Sequence, residues 1–351
     1  MGLINKKYIG LIFGGKSNEH FVSIASAKAI FSAFKSKQNA KNFEIKAYYI
    51  SRDGKWYSHE KSIKILKNEL DIKEFELEEI YKPINLIENL NLKEIDLWFP
   101  ILHGFNGEDG TIQGLLKFMQ KPFISSGILG SAICMDKITS KLLLTNLKIP
   151  QVNYLPLQNY DPNNSFELKQ IINKINTKLN FPLFIKPSNS GSSLGISKIK
   201  NMGELTLALK KAWEVDKRII IEEGLNVREL ECGIIGTNNL HPSEVGEVKY
   251  KSEWYDYESK YELENKLIIP ALIDKNIRNQ IQELAIEGCK ALNVEVFARV
   301  DFFLEKGTNK IYLNEINTIP GFTDKSMFPL LWKASGLDID QLVAKLINIV
   351  I

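Results

Sequence analysis

Apolar residues in the first hundred positions alternate between short continuous runs and helical spacing. The run 8–13 ends at the glycine pair 14–15, and apolar residues then recur with a helical period over 22–34. Apolar runs at 45–50 and 95–102 predict two more strands, and the Lys- and Glu-rich sequence between them is typical of a solvated insertion. This order of strand, turn and helix predicts an open α/β domain with a parallel sheet.

A second, smaller group of elements follows, and the chain then becomes rich in strands. Helical spacing over 131–147 and 166–179 alternates with extended runs at 152–157 and 182–186, which predicts a small α/β unit. From residue 218 onward, apolar strands dominate, and two long helices accompany them. The predicted strands are 218–222, 229–236, 296–304 and 310–316, and the predicted helices are 274–292 and 338–350.

The chain therefore divides into three predicted domains of mixed α/β class, the last of them α+β. These are an N-terminal open parallel-sheet domain at 1–126, a central unit at 127–221 and a C-terminal unit at 222–351. The length of 351 residues agrees with more than one domain, because single hydrophobic cores rarely grow beyond about 250–300 residues.

Composition excludes several classes of protein. With 44% hydrophobic and 25% charged residues the chain is that of a globular protein, and the scattered charges summing to +3 predict no nucleic-acid partner. No apolar run approaches the roughly 18 residues of a membrane span, so we expect no membrane association. Three scattered cysteines (Cys134, Cys232 and Cys289) favour buried thiols and a cytoplasmic protein.

One short motif resembles a phosphate-binding P-loop. Residues 10–17 satisfy the pattern GxxxxGK[ST], with Lys16 and Ser17 at the positions that contact phosphate and Mg²⁺. However, Gly10 falls inside the apolar run, where strand residues cannot form a cradle of successive N–H groups. We therefore favour a strand-to-helix turn whose helix N-terminus attracts a small ligand.

The Gly/Ser-rich segment 186–195 is the strongest local indication of phosphate binding. Lys186 ends a predicted strand, and the small residues after it let backbone N–H groups approach an anion. A polar surface turn with an exposed lysine is the alternative. The apolar strand 219–225 leaves carboxylates at its end, which suits adenine and ribose recognition, although this segment alone is a weak signal.

Two tripeptides near the C-terminus point to a metal site. Residues i and i+2 of a strand share a face, so Arg299 joins Asp301 and Glu315 joins Asn317. If a hairpin places Asp301 opposite Glu315, three oxygen ligands meet, and a set without Cys or His favours Mg²⁺ or Mn²⁺. The alternative is an exposed hairpin face with incidental charges. The apolar neighbours Val300, Phe302 and Ile316 argue against it, because they indicate an otherwise buried sheet.

Two loops complete the candidate chemistry. The segment 102–110 ends a predicted strand with three glycines and then opens a helix with acidic residues, which is typical of a binding loop at a strand's C-terminal edge. On spacing alone, His103 in this loop is as consistent with a structural as with a functional role. The aromatic-rich segment 254–261 lacks a clear period and predicts a loop, either a lid or a packed surface turn.

Together these motifs resemble the D-alanine:D-alanine ligase family of the ATP-grasp superfamily. The resemblance covers nearly the whole chain, in family order, and is weakest over 52–94. It implies a three-domain ATP-grasp fold. The matching segments are 14–23, 103–110, 136–137, 186–195, 255–261, 299–301, 314–323 and 326–327.

The resemblance implies ATP as co-substrate and two Mg²⁺ or Mn²⁺ ions. Lysines would contact the phosphates, and the end of the 219–225 strand would hold adenine and ribose. Glu223 departs from the family, where Lys is common at its position. The implied metal ligands are Asp301, Glu315 and Asn317. The implied ATP-binding residues are Lys137, Lys186, Glu222, Glu223, Leu225, Glu229 and Lys260.

The resemblance also assigns roles toward the amino-acid substrates. Glu19 would hold the ammonium of the first D-alanine, with Ser192 and Tyr261 closing the site over it. Arg299 and the Gly321 N–H would form an oxyanion hole. The residues implied in substrate binding are His103, Ser326 and Met327.

The implied reaction joins two D-alanines through an acyl phosphate and releases ADP and phosphate. The family further implies a homodimer that contributes to peptidoglycan precursor synthesis. Two alternatives remain: a ligase that makes D-alanyl-D-lactate, for which residue 261 discriminates, and an inactive nucleotide-binding regulator, which would lack metal ligands or phosphate lysines.

Overall fold

The N-terminal part of the chain is built on a four-stranded sheet. The computed structural model describes residues 6–69, 84, 94–158, 160–161, 164–191, 194–250 and 266–351. Strands pair in the order β3-β2-β1-β4, with β1 parallel to both β2 and β4 and only the edge strand β3 antiparallel. The strands are β1 (Lys7–Gly14), β2 (Phe43–Ile50), β3 (Trp56–Tyr57) and β4 (Leu97–Pro100). The helices are α1 (His20–Ala33), α2 (Asn39–Asn42), α3 (His59–Leu66) and α4 (Thr111–Phe118).

The predicted parallel sheet is confirmed, and the P-loop interpretation is excluded. Gly10 lies within β1, where a Cβ would stand 2.4 Å from the ring of Trp98, so this glycine serves strand packing. The turn is made by Gly14 and Gly15, whose φ angles of +93° and +94° favour glycine.

The central part contains a second four-stranded sheet, which is antiparallel throughout. Its strand order is β5-β8-β6-β7. The strands are β5 (Tyr154–Leu157), β6 (Leu183–Pro187), β7 (Ser197–Ile199) and β8 (Ile219–Glu223), and its helices are α7 (Ser165–Lys178) and α8 (Leu205–Val215). The helix expected over 131–147 is two helices, α5 (Ile128–Met135) and α6 (Lys137–Asn146). Asp136 breaks it, because its side chain accepts the Thr139 N–H and caps α6.

In the residues that the structure describes, the C-terminal part is a five-stranded antiparallel sheet with three helices. Strands pair in the order β11-β10-β9-β12-β13. The strands are β9 (Val227–Gly236), β10 (His241–Lys249), β11 (Lys266–Ile268), β12 (Val296–Glu305) and β13 (Ile311–Asn317). The helices are α9 (Lys275–Ala291), α10 (Met327–Ala334) and α11 (Ile339–Val350). Strands β10 and β11 were not predicted, whereas the last hairpin and both long helices were.

Two of the hydrophobic cores contain residues from more than one of the three predicted segments. The core of the first sheet continues through Phe297, Phe322 and Phe328 into helices α10 and α11. Cys134 and Leu144, on helices α5 and α6, are buried with the five-stranded sheet. The predicted boundaries at 126 and 221 remain predictions. Among the described residues, no helix has both the length and the apolar character needed to cross a bilayer.

Candidate active site

The turn after β1 places Glu19 at the start of α1. The Gly14 N–H donates to Ser23 Oγ at 2.8 Å, and Ser17 Oγ donates to the His103 carbonyl at 2.6 Å, so this turn is tied to the loop after β4. A Cβ on Gly104 would lie 2.7 Å from Glu19 Oε2, and one on Gly191 would lie 3.2 Å from it. Two loops distant in sequence therefore need glycine to approach this carboxylate.

A buried ion cluster lies at the end of β6. Glu222 accepts from Lys186 Nζ at 2.5 Å, and Lys141 Nζ lies 3.3 Å from its other oxygen. Burial acts to raise the pKa of Glu222, but the two ammonium groups outweigh this effect and hold the pKa at about 2. One carboxylate shared by two lysines leaves one positive charge in excess, which suits binding of a polyphosphate.

Lys137 joins this phosphate end from the start of α6. Its ammonium donates to the Ser190 carbonyl at 2.7 Å and lies 3.6 Å from Glu315 Oε2. It thus connects the glycine-rich loop with the acidic hairpin. Lys141 lies one helical turn further on and was not among the predicted site residues. Its helical spacing from Lys137 was the only sequence signal for it.

The end of β8 carries the residues predicted to hold adenine and ribose. Glu223 faces away from the lysine cluster, and its carboxylate accepts from Asn153 and Asn180, each at 2.8 Å. Glu229 on β9 accepts from the Tyr250 hydroxyl at 2.9 Å. Leu225, in the connection between the two strands, is half-buried.

The predicted hairpin register is confirmed. Asp301 stands opposite Glu315, and Arg299 stands opposite Asn317. The Asn317 amide donates to Asp301 Oδ2 at 3.0 Å, and Glu315 pairs with Asp301 across the hairpin, so the three residues lie close together while their role as metal ligands stays a prediction. Within the described ranges, no three His, Cys, Asp or Glu side chains form a metal site by themselves, so a metal here would need the Asn317 oxygen as its third ligand.

Arg299 lies between two carboxylates of the same sheet. Its guanidinium makes two 2.7 Å hydrogen bonds to Asp301 and lies 2.9 Å from Glu231. Burial disfavours its charge, but these carboxylates keep the pKa of Arg299 well above its usual range. Arg299 therefore presents a permanent, fixed positive charge.

The segment after β13 brings the remaining predicted residues together. A Cβ on Gly321 would lie 3.0 Å from Ser326 Oγ, which accepts the Thr323 N–H at 3.1 Å. Ser326 is the N-cap residue of α10, and Met327 is the first residue of that helix. A helix N-terminus favours a carboxylate, which agrees with the predicted site for the second D-alanine.

His103 is enclosed near this segment, and its ring nitrogens both have protein partners. Nδ1 lies 2.8 Å from the Ile319 carbonyl and Nε2 lies 3.0 Å from Ser26 Oγ. Its predicted role in substrate binding stays a prediction, and the geometry offers no ring nitrogen for it. Three further predicted residues (Ser192, Lys260 and Tyr261) lie outside the described residues.

Glu108 is a second site residue that was not predicted from the sequence. Its two carboxylate oxygens accept the N–H groups of Gly104 at 2.8 Å and Ile319 at 2.9 Å. Burial, reinforced by the negative charge of Glu19, raises the pKa of Glu108 to about 8. The sequence signal was its place in the glycine-rich loop after β4.

The geometry and the comparisons define the class of protein. A lysine-bearing strand with a glycine-rich loop, facing a sheet whose last hairpin carries the acidic residues, is the ATP-grasp arrangement. Family models for the D-ala D-ala ligase N-terminus and C-terminus match residues 8–126 and 143–348. The chain belongs to the D-alanine:D-alanine ligase family.

Relatives and solved structures agree with this assignment over almost the full chain. D-alanine--D-alanine ligases of Prochlorococcus marinus strains MIT 9312 and MIT 9301 are 60% and 59% identical to it, over 98% of this chain and 98% of each relative. Among solved structures, the VanG D-Ala:D-Ser ligase of Enterococcus faecalis has a TM-score of 0.85 at 36% identity, covering 98% of this chain and 99% of its own. The D-alanine-D-alanine ligase of Coxiella burnetii has a TM-score of 0.81 at 30% identity, covering 98% and 95%.

Proposed function

We propose that the protein joins two D-alanines into D-alanyl-D-alanine with ATP, releasing ADP and phosphate, and so supplies peptidoglycan precursor synthesis. The observation that carries the proposal is the 60% identity to a D-alanine--D-alanine ligase over 98% of both chains. The converging lysines, carboxylates and oxyanion segment support it, because they provide each chemical part that the reaction needs.

The first step converts a poor acyl donor into a good one. The carboxylate of the first D-alanine attacks the γ-phosphorus of ATP, which forms an acyl phosphate and releases ADP. Lys137 and Lys186 offset the phosphate charge as it moves, and the Glu222–Leu225 segment and Glu229 hold the nucleoside. Glu19 holds the ammonium of this first D-alanine, which fixes its carboxylate toward the phosphate.

In the second step, the free amine of the second D-alanine attacks the acyl carbonyl. The carbonyl oxygen gains negative charge in the tetrahedral intermediate, where Arg299 and the Gly321 N–H stabilise it. The C–O bond to phosphate then breaks, and the departing phosphate keeps the former carboxylate oxygen and takes up the proton that the amine loses. Ser326 and the adjoining Met327 N–H hold the carboxylate of the second D-alanine. We propose that Ser192 and Tyr261 close the site and exclude water from the acyl phosphate, and that Lys260 contacts the phosphates.

The acidic hairpin fits two Mg²⁺ or Mn²⁺ ions. Asp301, Glu315 and Asn317 supply hard oxygen donors on one face of the hairpin. When bound, such ions neutralise and orient the phosphate oxygens.

The experiment that tests the function offers ATP, Mg²⁺ and D-alanine to the purified protein and measures phosphate and dipeptide together. We expect one phosphate per dipeptide, since each ligation consumes one ATP. ATP binding with neither product would overturn the proposal in favour of an inactive regulator. Phosphate without dipeptide would mean that the acyl phosphate is hydrolysed instead of ligated, which also contradicts the proposal.

The second substrate is a separate question, because the VanG structure is named as a D-Ala:D-Ser ligase. We propose D-alanine. In the lactate-forming relatives, a His is associated with the lid, and its charge can repel ammonium. Residue 261 is a tyrosine, and the phenol of an unperturbed tyrosine is uncharged in the neutral range. Competition among D-alanine, D-serine and D-lactate between pH 6 and 9 tests this, and predominant depsipeptide or D-alanyl-D-serine would contradict it.

Three further proposals concern assembly and location. We propose a homodimer, as the family resemblance implies, which light scattering of the purified protein tests by mass.

We propose a cytoplasmic location, where ATP is available and where the free, buried thiols of Cys134, Cys232 and Cys289 would stay reduced. We also propose that the chain forms three domains at 1–126, 127–221 and 222–351, which limited proteolysis would locate.

A further inference from the structure

The segment from Ile319 to Phe322 is held at both ends by the N-terminal part of the chain. At its start, the Ile319 carbonyl is bonded to His103 Nδ1 at 2.8 Å. At its end, the Phe322 N–H donates to Ser26 Oγ at 3.0 Å. Ser26 Oγ also lies 3.0 Å from His103 Nε2, so the two contacts form one connected chain.

The protons of this chain have one consistent arrangement. A carbonyl only accepts, so His103 Nδ1 must carry the proton that bonds to Ile319. Burial lowers the pKa of His103, which favours the neutral ring with a lone pair on Nε2. The Ser26 hydroxyl then donates to Nε2 while its oxygen accepts from Phe322. The Ser26 hydroxyl is therefore needed both as a donor and as an acceptor.

The other backbone groups of the segment are fixed as well. The Ile319 N–H donates to Glu108, and Pro320 has no N–H and a restricted φ. Phe322 packs against Phe99 and Phe297, with ring centroids 6.1 and 6.3 Å away. Of the N–H groups in this segment, only that of Gly321 has no partner among the described residues.

We propose that Ser26 is a positioning residue, which acts with His103 to aim the Gly321 N–H at the oxyanion of the tetrahedral intermediate. This inference rests on the proposed function, because it concerns a role of Gly321 in that reaction. Ser26 lies on α1, and its side chain is fully buried behind the Ile319–Phe322 segment. Its effect would come through two peptide units, so a displacement of about 1 Å at Gly321 is enough to matter.

The test compares Ser26→Ala with Ser62→Ala. Ser62 is an equally buried serine on α3 whose hydroxyl likewise accepts a backbone N–H, that of Tyr49. We expect Ser26→Ala to lower kcat for dipeptide synthesis about 10- to 100-fold with the KM for ATP nearly unchanged. Ser62→Ala should leave kcat within about twofold of wild type. Both variants should lower Tm by similar amounts. Equal kcat for the two variants would overturn the proposal.

A partial reaction separates positioning from general damage. Exchange of isotopic label between the bridging and non-bridging positions of ATP, with the first D-alanine bound, reports acyl-phosphate formation and does not need the oxyanion of the second step. Ser26→Ala should keep this exchange within a few-fold of wild type while ligation falls. Loss of both steps to the same extent would contradict the role given to Ser26.

Two further variants keep the proposal testable if Ser26→Ala folds poorly. Ser26→Cys retains a weaker donor of similar size and should have intermediate kcat. The double variant Ser26→Ala/His103→Ala should have a kcat no lower than that of His103→Ala alone, because both residues act through the same chain of hydrogen bonds. Fully additive losses of kcat would overturn the proposal. If the wild-type protein makes no dipeptide, the proposed function fails first, whatever these variants do.

Discussion

Two glutamates of the candidate site, the buried Glu222 and the half-buried Glu108, differ in charge state. Glu222 is enclosed with two lysine ammonium groups, and its pKa is held at about 2. Glu108 is enclosed with two backbone N–H groups and faces Glu19, and its pKa is raised to about 8. Burial pushes both pKa values upward, so the difference lies in the neighbours. The cluster around Glu222 thus carries charge at pH 7, while the Glu108 carboxyl is mostly uncharged there.

The largest effect should come from removing charge at the phosphate end. We expect Glu315→Gln to fold normally and to lose most ligation, more than about 10³-fold, because the amide keeps the volume but not the anion that a metal ion needs. Dipeptide synthesis at several Mg²⁺ concentrations measures this. Near-normal synthesis at ordinary Mg²⁺ would refute the assignment of the acidic hairpin.

Glu222→Gln should be the most damaging change to stability. It leaves Lys141 and Lys186 buried without their carboxylate, which should cost about 3–5 kcal/mol at pH 7 in urea unfolding. The matched control is Glu223→Gln on the opposite face of β8, where partners are amides, and this should cost under about 1 kcal/mol. The Glu222 contribution is present above pH 4.5 and is lost as the pH falls toward 2. Equal losses for the two variants would contradict the ion cluster.

Arg299→Ala tests the charge that faces the acyl end. ATP binding should stay intact while kcat falls about 10²–10³-fold, since oxyanion charge develops only in the transition state. Arg278→Ala is the control, because that arginine pairs with Glu244 away from the hairpin at 3.3 Å. If KM changed while kcat did not, Arg299 would be a ground-state ligand.

The most gradual effect concerns the proton on Glu108. Its raised pKa means that the folded state binds an extra proton between pH 4.5 and about 8. The stabilisation is complete below pH 4.5 and is lost as the pH rises through 8. Glu108→Gln should remove this loss, at most about 1.4 kcal/mol per pH unit, in urea unfolding from pH 5 to 9. Glu283→Gln, at an exposed site, should keep the wild-type slope, and an unchanged slope for Glu108→Gln would count against the raised pKa.

Local periodicity was enough to predict most of the elements and part of the site. The alternation of Arg299 with Asp301 and of Glu315 with Asn317 predicted a shared face, and a short hairpin loop made the register predictable. The helix break at Asp136 was missed because a capping side chain overrides helical spacing there. Strands β10 and β11 were missed for want of a clear alternating pattern.

Contacts between distant segments could not be predicted from spacing. Ser26 is separated by 77 residues from His103 and by 296 from Phe322, and nothing in the sequence near Ser26 marks it as functional. Lys141 is similar, because its importance depends on meeting Glu222 from another element. The resemblance supplied the roles of substrate-facing residues, whereas the residues that hold them in place emerged only from the packing.

The core shared by the first sheet and α11 has a consequence for how the chain matures during translation. Leu11 on β1 is buried in the same cluster as Leu346, and Asn39 donates to the Asp340 carbonyl, which lies 301 residues further along the chain. The ribosome therefore releases all four strands of this sheet long before α11, which packs against α1 and completes the shared core. Until then the nascent chain presents an uncovered apolar surface, which is the kind of surface that chaperones shield.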